Sequence, residues 1–179
     1  MDDSQKNYDS LIRPIEDRMI RSVCRIVRNP DDSEDAFQEA LATIWNKLGR
    51  IRQHPNPHAL ILRICVNSAY DVLRRKSRQR RHEELKEISD IASDPAPSPV
   101  QQAINHENRE EIFKAISRLP RIQAQAVLMR FVQELPYADV AQALDCKEAV
   151  VRKYIARARV HLRKTLTHLA PFSTKEVFK

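Results

Sequence analysis

The chain has 179 residues, 42% of them hydrophobic, with 31 Lys and Arg against 24 Asp and Glu, a net charge of +7 and a pI near 9.5. That length allows one domain or two small ones, and the basic balance favours a polyanionic partner. A single glycine, Gly49, excludes Gly-rich phosphate loops and leaves few tight left-handed turns.

The chain opens on the acidic, polar "MDDSQKNYDS", which does not read as a signal peptide. No apolar run approaches the ~20 residues of a membrane span, so no membrane insertion is expected and the expected location is cytoplasmic. Ile15, Met19, Val23, Ile26 and Val27 then mark a helix, with Pro14 tolerable in its first turn. "NPDDSEDAFQEALATIWNKL" predicts a second helix, capped by Asp32 or Ser33 and carrying acids in its first turn, where the helix dipole favours them. Phe37, Leu41, Ile44, Trp45 and Leu48 form its expected buried stripe; Asp35, Gln38, Glu39 and Asn46 point outward. That polar face fits a docking surface for a protein partner, or an ordinary solvated helix. "GRIRQHPNPH", broken by Gly49, Pro55 and Pro57, reads as a loop.

A long helix is expected from about His58 to Arg81, with Ile61, Ile64, Cys65, Ser68, Val72 and Leu73 inward. Arg63, Asn67, Tyr70, Asp71, Arg74 and Arg78 share the opposite face at i, i+4, i+7 steps. Arginines pair with phosphates, while amides and aromatic rings engage bases that have left the stack. Six of the eight residues from Arg74 to Arg81 are basic, which suits nucleic acid or a solvated helix end equally. "SDIASDPAPSPV", with three prolines and three serines, reads as a flexible linker over 89–101. It splits the chain into modules of 1–88 and 102–170, followed by a tail at 171–179.

The second module predicts helices near 102–118, 121–134, 137–144 and 147–168, with Pro120 and Pro136 as breaks. In the last, Val151, Tyr154, Ile155, Ala158, Leu162 and Leu166 fall on one arc, and Arg152, Lys153, Arg157, Arg159, Arg163 and Lys164 occupy the rest. The preceding helix "PYADVAQAL" and the turn Asp145-Cys146-Lys147 complete a helix-turn-helix pattern, whose second helix enters the major groove. Strand signals are weak throughout, so the expected fold class is all-α. Catalytic spacing is missing: the six histidines form no HExxH, and no nucleophile elbow or acid–base pair can be argued. An enzyme is therefore not expected, nor a cofactor or metal. Cys24, Cys65 and Cys146 are far apart and read as reduced structural thiols.

These pieces, in this order, resemble the sigma-70 superfamily of bacterial RNA polymerase initiation factors, and most of all its small extracytoplasmic-function (ECF) group. "DSEDAFQEALATIW" is similar to their region 2.2, "ALILRICVNSAYDVLRRKSRQRR" to regions 2.3 and 2.4, and "AISRLPRIQAQAVLMRFVQELPYADVAQALDCKEAVVRKYIARARVHLRK" to region 4. The resemblance implies a region 2-like helical bundle and a region 4-like helix-turn-helix joined by the linker. It implies core RNA polymerase and promoter DNA as partners, with an anti-sigma factor as a further candidate. By matching position, Asp35, Gln38 and Glu39 become candidate contacts to the polymerase clamp. Asn67 and Asp71, with Tyr70, Arg74, Arg78 and the loop Gly49–His58, become candidates for the −10 element. Lys147, Arg152, Lys153 and Arg157 become candidates for the −35 element. The family often has Trp where this chain has Leu60, Gly at Glu134 and Asp145, and Ser or Thr at Val150. The alternative reading is a free-standing helix-turn-helix regulator that binds DNA without polymerase, which would need a dimerisation surface.

Overall fold

A computed structural model describes residues 8–86 and 100–167, without the side chains of 80–86 and 100–107. The expected linker, but for its last two residues, and the tail at 171–179 lie outside the described residues. Among the described residues all regular structure is helical. Tyr8–Ile12 and Arg13–Ile15 form a π-type and a 3-10 turn that lead into α1, Glu16–Val27. Pro14 therefore lies just before the helix rather than in its first turn.

α1 ends at Arg28, which adopts φ 68° and donates its N–H to the Cys24 carbonyl at 3.0 Å. α2 runs from Pro30 to Asn46. Its cap is Asn29, one residue before the helix and upstream of both expected candidates: Asn29 Oδ1 accepts from the Asp32 N–H at 3.0 Å. The reason is Pro30, which holds the residue before it extended and is itself suited to the first helical position. Ser33 instead donates its hydroxyl back to the Asn29 carbonyl at 2.7 Å.

The inner line of α2 is Ser33, Ala36, Ala40 and Ile44, all buried. Phe37, Leu41 and Leu48 are half-buried, and Trp45 keeps 38% of its surface exposed. The expected stripe is thus turned by one position. Small side chains on the inner line let α2 approach the long helix closely, and the larger apolar groups seal the flanks. Gly49 does not begin a loop: it lies in a short helix α3, Leu48–Arg52, anchored by the fully buried Ile51. The loop is only Gln53–Asn56. Asn56 then caps α4, Pro57–Lys86, by accepting from the Ala59 N–H at 3.0 Å.

The second module contains α5 (Val100–Ser117), α6 (Arg121–Val127, continued by a π-type turn Leu128–Val132), α7 (Tyr137–Ala143) and α8 (Glu148–Thr165). Left-handed residues end two of these. Glu134 has φ 56°, after which the Leu135 N–H reaches the Met129 carbonyl at 3.1 Å. Asp145 has φ 53°, and the Cys146 N–H reaches the Ala141 carbonyl at 3.0 Å. These wrapped bonds satisfy carbonyls that a helix end would leave open.

The two modules share one core. Met19, Val23, Ile44, Ile61 and Cys65 join Ile116, Leu128, Val140, Val151, Ile155 and Leu162 in a single buried cluster. α4 lies at its centre. It buries the expected Ile61, Ile64, Cys65, Ser68 and Val72 toward α1 and α2, but Leu62, Val66, Ala69 and Tyr70 are buried too. Its second face is covered by α6 and α7.

Candidate nucleic-acid interface

The outer face of α8 is presented by its packing. Val151, Ile155, Ala158 and Leu162 anchor the helix, so Arg152, Lys153 and Arg157 must point away and are exposed. Lys147, the residue before the helix, is exposed as well. Arg152 is held in place. Its guanidinium lies 4.1 Å from the centre of the Tyr137 ring and 3.4 Å from Glu148 Oε2. Tyr137 is in turn flanked by Arg130 at 5.2 Å. One ring thus carries a cation near each of two helices, an arrangement favoured by the negative face of the aromatic system. The charged residues are not alone on this surface: Ala149, Ala156 and Val160 are exposed between them, Val160 by 58%. No charge or motif marks these three in the sequence; their exposure follows from the packing of α8.

The polar face of α4 is built differently. Asn67 Oδ1 accepts from Gln125 Nε2, and Asp71 pairs with Arg121. Arg63 Nη1 donates to the Ala143 carbonyl at 2.6 Å. Burial lowers the pKa of the Arg63 guanidinium, with smaller contributions in the same direction from Arg50 and Arg121. Tyr70 requires a correction. Its ring is 1% exposed, and its hydroxyl donates to the Leu119 carbonyl at 2.7 Å, because the α5–α6 corner closes over it. The same burial raises the pKa of its phenol. Arg74 and Arg78, one and two turns further on, are exposed. The six residues of the expected face therefore separate into four that meet the second module and two that meet solvent. Beside them is a cleft of about 190 Å³ lined by Lys47, Arg50, Ile51, Leu60, Arg63, Ile64 and Asn67. Arg50 belongs to the Gly49–His58 stretch expected at the −10 element, and Lys47 lies just before it, on the short connection between α2 and α4.

The third surface is the outside of α2. Asp35, Gln38 and Glu39 are exposed on one side of it. Glu39 lies 4.0 Å from Arg75, and Asp32 pairs with Lys76, so two bridges tie this helix to α4 near the acidic face. Cys24, Cys65 and Cys146 are all free thiols, exposed, buried and half-buried respectively. Cys65 is fully buried and its thiol is pushed up to about 12 by burial, so it stays protonated. Among the described residues there is no group of three or more metal-ligating side chains, and no helix is long and apolar enough to cross a membrane.

Residues 11–79 match the family model described as Sigma-70 region 2, and residues 109–162 match that of Sigma-70, region 4. Among individual relatives, the chain is 29% identical over 167 residues to a probable RNA polymerase sigma factor RfaY of Xanthomonas campestris pv. campestris, covering 90% of this chain and 41% of that protein. It is 30% identical over 162 residues to the ECF RNA polymerase sigma factor SigE of Mycolicibacterium smegmatis, covering 89% of this chain and 62% of that protein. The chain thus spans less than two thirds of the length of each of these two. In three dimensions it is similar to the sigma factor RpoE from Bartonella quintana, solved in complex with the anti-sigma factor NepR, with a TM-score of 0.52, 21% identity, and coverage of 90% of this chain and 98% of that one. At that identity the likeness speaks for the fold.

Proposed function

The chain belongs to the sigma-70 family of bacterial RNA polymerase initiation factors, in its ECF group, and from that membership we propose that it binds core RNA polymerase and directs it to promoter DNA. Three surfaces divide the work. The α2 face with Asp35, Gln38 and Glu39 docks on the polymerase clamp. The α4 face handles the melted −10 strand: Asn67 and Asp71 engage bases, Arg74 and Arg78 meet phosphates, and the 190 Å³ cleft beside Asn67 receives an unstacked base. The α8 face lies in the major groove at −35, with Lys147, Arg152, Lys153 and Arg157 on bases and phosphates. Ala149, Ala156 and Val160 supply apolar contacts of the kind thymine methyls accept. The protein does not itself catalyse a reaction; it acts in the cytoplasm, where the polymerase is, and an anti-sigma factor is a fitting further partner.

The observation that carries this reading is the coexistence, in one chain, of an acidic exposed helix, a polar α4 face and an arginine held in place at the start of a helix-turn-helix recognition helix. A free-standing regulator would use only the last of these. Core binding tests the assignment directly. Asp35→Lys with Glu39→Lys leaves the inner line of α2 untouched, so the fold is expected to survive while co-purification with core polymerase weakens at least tenfold. Undiminished co-purification by this double variant would remove the docking role from α2.

A further inference from the structure

A cavity of about 330 Å³ lies where the end of α1 meets α4 and α5, and none of its lining residues belongs to the three surfaces assigned above. Leu73, Lys76 and Ser77 line it from α4, and Glu110, Phe113 and Lys114 from α5. Each trio is spaced i, i+3, i+4 and so occupies one face of its helix. Ile26 and Arg28 close the third side, at the corner where α1 ends.

The lining divides by chemistry. Ile26 and Phe113 are buried and Leu73 is half-buried, so part of the wall is apolar. Apolar atoms that face a hollow lack packing partners on that side, and an aliphatic chain would supply them. The remainder is polar and mostly basic. Arg28, Lys76 and Lys114 are cations, against Glu110 in the lining and Asp32, which pairs with Lys76 from outside it. Three cations and these two acids leave a formal charge of +1. Ser77, itself buried, adds a hydroxyl beside Lys76. The volume falls at the lower end of the roughly 300–1,000 Å³ of small-molecule sites, which admits a short ligand and excludes a helix.

We propose that this cavity binds a small amphipathic organic acid, an aliphatic carboxylate of medium length. Its chain packs against Ile26, Leu73 and Phe113, and its carboxylate meets the lining cations. A single negative charge matches the formal surplus. Inorganic phosphate has no apolar body for the wall, and a neutral alcohol leaves the charge unanswered. The site goes beyond the proposed polymerase and promoter roles and depends on neither, so its failure leaves those standing.

The test titrates the full chain in a calorimeter with octanoate as the probe, and with 1-octanol and inorganic phosphate as its separated halves. A single octanoate is expected to bind, about tenfold more tightly than octanol, the scale of one charge-assisted hydrogen bond. Phosphate is expected not to displace it. Lys114→Met removes a charge and keeps an unbranched apolar stem. Lys76 is left in place because it holds Asp32, and Arg28 because it carries the left-handed turn at φ 68°. Lys114→Met is expected to lose about tenfold in octanoate affinity and nothing in octanol affinity. Leu73→Trp fills the hollow and is expected to abolish uptake of both, with its helix content checked by circular dichroism; if it does not fold, Lys114→Met decides alone. An absence of saturable octanoate binding overturns the proposal, and so does octanol bound as tightly as octanoate. Octanoate affinity unchanged in Lys114→Met, or retained in a folded Leu73→Trp, places the binding elsewhere and overturns it too. Displacement by phosphate at equal concentration overturns the apolar half and with it the ligand class.

Discussion

Arg152 is an exposed cation of α8 that is braced by an aromatic ring and a carboxylate. A free arginine loses rotamer entropy when it binds, whereas one already stacked on Tyr137 and paired with Glu148 has lost part of it beforehand. This favours a directional contact to a base edge over a diffuse one to phosphate. Arg152→Ala is expected to cost about 1–3 kcal/mol at one −35 position and to relax preference there. Tyr137→Phe keeps the ring face and should leave the preference intact, while Tyr137→Ala should loosen it toward the Arg152→Ala pattern with less loss of affinity. Promoter-library transcription with the three variants separates these outcomes; equal preference for all three would mean that the stack does not aim the guanidinium. Arg163, exposed near the end of the helix, is expected to change only overall affinity and its salt dependence.

At the scale of elements, helix ends decide most of what the sequence did and did not make legible. Pro120 and Pro136 mark breaks by removing a donor, and the helices around them fall within a few residues of their expected limits. Asn29 was missed as a cap because Asp32 and Ser33, further along, are equally good cap types; Pro30 decides between them. Gly49 lies in a helix and not in the expected loop because that helix is stabilised by the burial of Ile51, a tertiary effect that local composition does not encode. The positions where the family often has glycine gave a sharper signal. Glu134 and Asp145 are both left-handed, at φ 56° and 53°. A side chain with a Cβ pays about 1 kcal/mol there, less for Asp than for Glu. Glu134→Gly is accordingly expected to raise stability by up to about 1 kcal/mol in urea denaturation, and Asp145→Gly by less. Destabilisation by Glu134→Gly would mean that the exposed Glu134 side chain contributes more than its backbone costs.

For the whole molecule, the central fact is the placement of α4. Its apolar periodicity made one buried face legible and its polar periodicity suggested one functional face. That Tyr70 and Asn67 meet the second module could not be read locally, since the partners lie 49 and 58 residues away. Both readings of the polar face fit the same side chains, because groups able to bind bases can also bind amides and carbonyls.

Initiation with core polymerase is the proposed role on which the three surface assignments depend. Reconstituted transcription from a randomised promoter library, with purified bacterial core polymerase and this chain as the only added factor, tests it most directly. Transcripts are predicted to require both components and to begin downstream of two recurring elements, with Arg152→Ala changing the upstream one and Asn67→Ala changing or abolishing use of the downstream one. Transcripts that do not depend on the chain, or a chain that binds duplex DNA tightly while core polymerase stays inactive, would contradict it.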